Sequence, residues 1–313
     1  MDTSKLLMLP LLILISLVML SPALAQTTGE SGGMIATVTS GQDTAGGTSP
    51  ELLIRCDDIG MCHSVNLAVE ELAKTGIKFS ASVMVVCPWF REAASILKKY
   101  SNVTVGVHLA LNSEWENYKW GPVLGRSAVP SLVDSDGYFF GNTAAFKANG
   151  PRTDEVEKEL RAQIERAIRS GLDIKYLDAH MSAISDNPEY WAFVKKLAKE
   201  YHLVVTRTIG DKDIPIMYSA PIDKKRDVLI EDVSHLSTDN INLLVCHIAL
   251  DTRESEALID SNPGGLPDVG KNRQGELDAL LSPEFKGAIK KYNLKLVNYA
   301  DFAPTSGSAG ESK

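Results

Sequence analysis

Asp57-Asp58 closes the apolar run Leu52-Leu53-Ile54-Arg55-Cys56 and opens onto Ile59-Gly60. Two histidines end similar runs, His108 in Val105-Gly106-Val107-His108-Leu109 and His180 in Tyr176-Leu177-Asp178-Ala179-His180. Taken singly, each has an ordinary use: aspartate before glycine is most often a turn or a helix cap, and a histidine with apolar flanks is most often a hydrogen-bonded core residue. Together they place a carboxylate and two imidazoles at the ends of three short apolar segments. That combination predicts one divalent-metal site with open positions, able to activate water for hydrolysis.

The elements that must position these groups follow from pattern. Strands are expected at 51–56, 81–87, 103–109, 176–180, 203–207, 242–247 and 295–298. Helical periodicity falls between them at 64–75, 90–99, 153–170, 188–201 and 283–292. Such alternation favours a parallel sheet, closed or open, in which functional groups gather beyond the carboxyl ends of the strands. Asp57, Asp58, His108, His180 and His247 all fall there. Residues 111–152 lack periodicity but carry Trp115, Tyr118, Trp120, Tyr138, Phe139 and Phe140. A loop that long inside a compact domain is usually functional or else mis-assigned, and its aromatic faces suit sugar rings as well as a local core. Trp115 and Trp120 are therefore candidates for substrate binding. Tyr138–Phe140, after Asp136-Gly137, read as packing or a small hairpin.

The ends of the chain are of a different character. Lys5, the apolar stretch Leu6–Leu20 and Ala23-Leu24-Ala25 before Gln26 read as a secretory signal over residues 1–25. Residues 26–50 and 304–313, rich in glycine, serine and threonine, read as flexible flanks of a single folded domain over 51–303. The mature protein is thus expected to be exported, periplasmic or secreted, with no stable membrane insertion after cleavage. No lipobox cysteine precedes the cleavage site, and no coiled-coil heptad is present. A net charge of −8 argues against a nucleic-acid partner. Cys56, Cys62, Cys87 and Cys246 permit disulfides in an exported chain, yet three of them end strand-like runs where a thiol packs well, so pairing is left open.

The ordered motifs resemble those of the YdjC-like (ChbG/HpnK) carbohydrate deacetylases, relatives of the polysaccharide deacetylases. The resemblance runs through Arg55–Gly60, Phe79–Val85, Gly106–Leu109, Val129–Asp134 and Asp178–His180. It closes on Arg273 with Glu276-Leu277 and on Leu296–Tyr299. It implies an irregular (β/α) barrel, a divalent metal and hydrolysis of an N-acetyl group on an amino sugar. Carried over by position, Asp58, His108 and His180 match the metal ligands, Asp57 the acid-base carboxylate and His247 the late histidine. Two departures stand out: His180 is followed by Met181-Ser182 rather than by a second histidine, and His247 by Ile248-Ala249 rather than by proline.

In that scheme Asp57 takes a proton from water as general base, and His247 protonates the departing amine as a group titrating near neutral pH. Asp178, two residues before His180, is expected to orient that ring or another site group. Arg55 either supports Asp57 or is turned away by strand alternation. Arg253 and Asp251, after His247, are candidates to face substrate. Imidazole plus carboxylate favours Zn and admits Mn, Fe(II), Co or Ni, and the family resemblance adds Mg. The expected partner is an N-acetylated sugar or oligosaccharide. The alternatives are a hydrolase of another amide or ester, or a non-catalytic carbohydrate-binding protein on the same barrel.

Overall fold

The computed structural model describes residues 48–215 and 217–304. The expected signal segment, most of the expected linker and the tail lie outside the described residues. Strands β1 (Glu51–Ile59), β2 (Phe79–Val83), β3 (Val103–Leu109) and β4 (Ile174–Ala179) come from the first part of the chain. They are followed by β5 (Val204–Val205), β6 (Asp211–Asp213), β7 (Ile241–Cys246) and β8 (Lys295–Val297). All pair in parallel in the order β5-β4-β3-β2-β1-β7-β6. β7 occupies one side of β1, while β8 takes the first half of the other side and β2 the second half.

The helices are α1 (His63–Lys74), α2 (Phe90–Leu97), α3 (Thr143–Ala148), α4 (Thr153–Arg169) and α5 (Pro188–Glu200). α6 (Lys225–Val233), α7 (Arg253–Glu256), α8 (Val269–Leu281) and α9 (Pro283–Lys291) complete the set. β6, α3, α6, α7 and α8 lack a readable pattern in the sequence. β2 begins and ends earlier than expected, so Cys87 lies beyond it.

Strand alternation divides two apolar layers. Leu52, Ile54 and Cys56 pack outward under the helices. Leu53, Tyr176, Val204, Leu243 and Val245 face inward and form a separate cluster with Tyr299. Tyr176 of β4 stacks on Tyr299 at 4.3 Å, and the Tyr299 hydroxyl donates to Asp211 of β6 at 2.8 Å. In a flat sheet those strands, five positions apart, would lie about 24 Å from each other. One tyrosine spans them here because the sheet curls into a barrel. Among the described residues no ladder joins β5 to β6, so the barrel is open on that side.

The stretch 111–152 is anchored on α4 by buried polar side chains. Glu159 accepts the amides of Val123 and Leu124, Glu155 accepts Ser131, and Gln163 bonds both backbone groups of Ala110. Val133 and Phe139 form an antiparallel bridge around Gly137 (φ +89°), the small hairpin expected there. All four cysteines are buried free thiols. Cys56 and Cys246 are register neighbours on β1 and β7. No helix among the described residues is long and apolar enough to cross a membrane.

Candidate active site

Two consecutive residues of a regular strand point to opposite faces. Asp57 and Asp58 escape that rule because the β1–β2 register shifts between Cys56 and Ile59. Three steps along β1, from Cys56 to Ile59, match two along β2, from Ala81 to Val83, which is a β-bulge. Asp58 takes φ +64°, a left-handed conformation that a non-glycine residue adopts only when its surroundings hold it there. Both carboxylates are thereby brought into one buried cluster.

Asp58 Oδ1 lies 3.2 Å from His180 Nδ1 and 3.5 Å from His108 Nε2. Those three atoms fall within 4.8 Å of one another, as a shared cation requires. Asp58 Oδ2 accepts a hydrogen bond from Arg273 Nη2 at 2.7 Å, while the buried Oδ1 has no hydrogen-bond partner. Each imidazole is backed by a carboxylate on its far nitrogen: Asp178 on His108 Nδ1 and Glu114 on His180 Nε2, both at 2.9 Å. That pattern fixes ring orientation in metal sites. Four carboxylates, Asp57, Asp58, Glu114 and Asp178, face the two guanidiniums Arg55 and Arg273. With neutral imidazoles the excess is the charge that a divalent cation would cancel. The donor set fits such a cation.

Burial pushes against charge in this cluster, and the pairings overcome it. Arg55 donates twice to Asp57, at 2.7 and 2.8 Å, and also meets Asp178 at 3.1 Å. Burial would raise the Asp57 carboxyl, but Arg55 and then His108 hold it at about 2. Arg273 and the two imidazoles likewise keep Asp58 well below the usual carboxylate range against its burial. Against burial, Glu114 and Asp58 raise His180 to about 9, and Asp178 with Asp57 raises His108. His247 differs: burial lowers it to about 4, with Asp58 opposing and Arg273 reinforcing the shift. In the protein alone, burial thus favours the uncharged form of that imidazole.

Other expected residues are placed as follows. Asp178 partners His108, not His180. Arg55 shares the inward face with Asp57, as residues two apart on a strand must. Trp115 and Trp120 are each 2% exposed, so neither offers an open face for a sugar ring. Instead, Trp115 lies under the Arg273 guanidinium at 5.4 Å, and Trp120 packs edge-on to His180 at 5.8 Å. Arg253 is exposed at the start of α7. Glu114 escaped the sequence reading, although a carboxylate six residues beyond His108 was the available signal.

Residues 51–291 match the sequence profile of the family described as YdjC-like protein. The chain belongs to the YdjC-like family. Relatives named carbohydrate deacetylase include one from Brevibacillus brevis, 28% identical over 80% of this chain and 99% of its own length. Another, from Enterococcus faecalis, is 28% identical over 82% of this chain and 99% of its own. A Thermus thermophilus relative of the same name is 29% identical over 77% and 90%. Among solved structures, an Enterococcus faecalis V583 protein described provisionally as a cellobiose-phosphate cleavage protein aligns with TM-score 0.68 at 25% identity. That alignment covers 82% of this chain and 100% of the other.

Proposed function

We propose that this YdjC-like protein is an exported, metal-dependent carbohydrate N-deacetylase that releases acetate from an N-acetylated amino sugar or oligosaccharide. The observation that carries the reading is Asp58 Oδ1, buried without a partner and facing two imidazole nitrogens whose rings are each braced by a carboxylate. The name shared by the curated relatives supports the substrate class.

Asp58, His108 and His180 would hold the cation, with Zn favoured by the ligand types and Mg, Mn, Co or Ni admitted. When bound, it would polarise the acetyl carbonyl and lower the pKa of water. Water adds to the carbonyl carbon, the C–N bond breaks, and acetate and a free amine leave. Asp57, kept ionised by its two bonds to Arg55, takes the proton of the attacking water. His247 protonates the departing amine nitrogen, and the proton that Asp57 takes from water balances the one His247 gives up. Arg273 holds the second oxygen of Asp58 and leaves the first free.

The test is acetate release from a panel of N-acetylated mono- and oligosaccharides. It uses metal-stripped protein reloaded with Zn, Mn, Co, Ni or Mg, with Asp57→Asn and His108→Ala as controls. Metal-dependent acetate that disappears in both variants is the expected result. Bound metal without acetate from any sugar would move the reading to another amide or ester, and absence of metal binding would remove the site.

A further inference from the structure

The bulge that presents Asp57 and Asp58 has a consequence for β7. The β1–β7 ladder runs from Glu51↔Ile241 to Cys56↔Cys246 and stops there, so the His247 amide has left the sheet. Its acceptor comes from α8 instead: Glu276 Oε2 receives the His247 N–H at 2.7 Å. Arg273, one turn earlier on the same helix, holds Asp58. The other oxygen of Glu276 has no hydrogen-bond partner and lies 3.7 Å from the ammonium of Lys225, the first residue of α6.

Lys225 is 0% exposed and Glu276 is 1% exposed. The lysine stem crosses α8 at Gly275, where a Cβ would come within 3.0 Å of Lys225 Cδ. Its ammonium donates to the carbonyls of Met217 and Tyr218, at 2.7 and 2.8 Å. The Tyr218 ring stands edge-on to the His247 ring, centroids 5.3 Å apart at 62°. A buried ion pair is seldom the most stable filling for such a space, and apolar side chains of equal volume often serve better. Here the pair grips the backbone at both residues of the Tyr218–His247 ring contact.

We propose that Lys225 and Glu276 are positioning residues: a buried clamp that sets the His247 ring against Tyr218 for proton transfer to the leaving amine. The assignment rests on the reading of His247 as the proton donor. The clamp holds His247 through its amide from α8 and Tyr218 through its carbonyl from α6, so the pairing of those two helices fixes the two rings relative to each other.

Lys225→Met keeps the stem and removes the ammonium, while Glu276→Gln keeps an acceptor for the His247 amide and loses the charge facing Lys225. In the metal-loaded enzyme, Lys225→Met should lower kcat on the order of ten- to a hundred-fold, as misplaced catalytic groups do. KM and metal content should stay near native, and Glu276→Gln should show a smaller loss. Ring resonances of His247, assigned by comparison with His247→Gln, should shift in both variants while those of exposed His235 stay in place. His247 signals that superimpose on the native ones in either folded variant overturn the clamp, whatever the rate. So does a loss carried equally by KM and metal content, which marks a general structural role. If Lys225→Met does not fold, Glu276→Gln decides by the same signals. A native enzyme that releases no acetate ends the deacetylase reading, and the resonances then decide the clamp alone.

Discussion

At the scale of single residues, the site works by setting partners against burial. Asp57, Asp58, His108 and His180 are at most 4% exposed, a condition that disfavours every charge they carry. Arg55, Arg273, Asp178 and Glu114 restore those charges and aim them. Glu114 is the sharpest test of that view. Glu114→Gln should leave the fold intact but lower metal affinity about 10- to 100-fold, the usual effect of removing a ligand's outer partner, as read by competition with a chromogenic chelator. His247 makes a separate prediction for the metal-free protein. Its folded value of about 4 lies below the ordinary 6.5, so between those values the unfolded chain binds a proton that the folded chain does not. Stability should therefore fall as pH drops from 6.5 toward 4, by up to roughly 3 kcal/mol from this group. Urea midpoints across that range should fall less steeply in His247→Gln than in the native protein.

At the scale of elements, the irregular ends of strands matter more than their regular middles. The bulge in β1 turns two neighbouring aspartates into one site and leaves the His247 amide to α8. Below that rim, Gly106 of β3 lets the Tyr176 ring lie across the barrel. A Cβ there would meet three ring atoms at 2.5 Å. The ring has nowhere to go, because its hydroxyl is bonded to Ser82 at 2.8 Å and its face is stacked on Tyr299. Gly106→Ala should cost roughly 1–3 kcal/mol by overpacking, seen as a melting temperature lowered by several degrees. Ser82 also donates to Asp178 at 3.0 Å, so the variant should weaken metal retention as well.

At the scale of the whole molecule, the open barrel brings groups from β1, β3, the end of β4 and α8 to one rim. The stretch 111–152 closes over that rim with buried aromatic residues and is held there by α4. Whether the protein meets its substrate outside the cell depends on residues 1–25. Expressed with its own amino terminus in a secreting bacterial host, the protein should begin at Gln26, as determined by intact mass and amino-terminal sequencing. Retention of Met1 on a cell-associated product would remove export from the proposed function.

Much of this was readable in the residues themselves. Apolar runs ending in Asp57-Asp58, His108, His180 and His247 report strands and their carboxyl ends, because burial and strand geometry are local properties of side-chain order. The family motifs add the roles of those residues. α8 was not legible, since its inward face is built from Gly270, Asn272, Arg273 and Glu276 as much as from Leu277 and Leu280, and polar helix faces carry no apolar period. The same holds for Glu114, whose meaning depends on a histidine 66 positions away. The amino-acid order determined which groups reach the rim, whereas only the tertiary structure decided their pairing. Hydrogen bonds and charges act between atoms brought together by the curl of the sheet and the bulge in β1, at separations in the chain that no local pattern records.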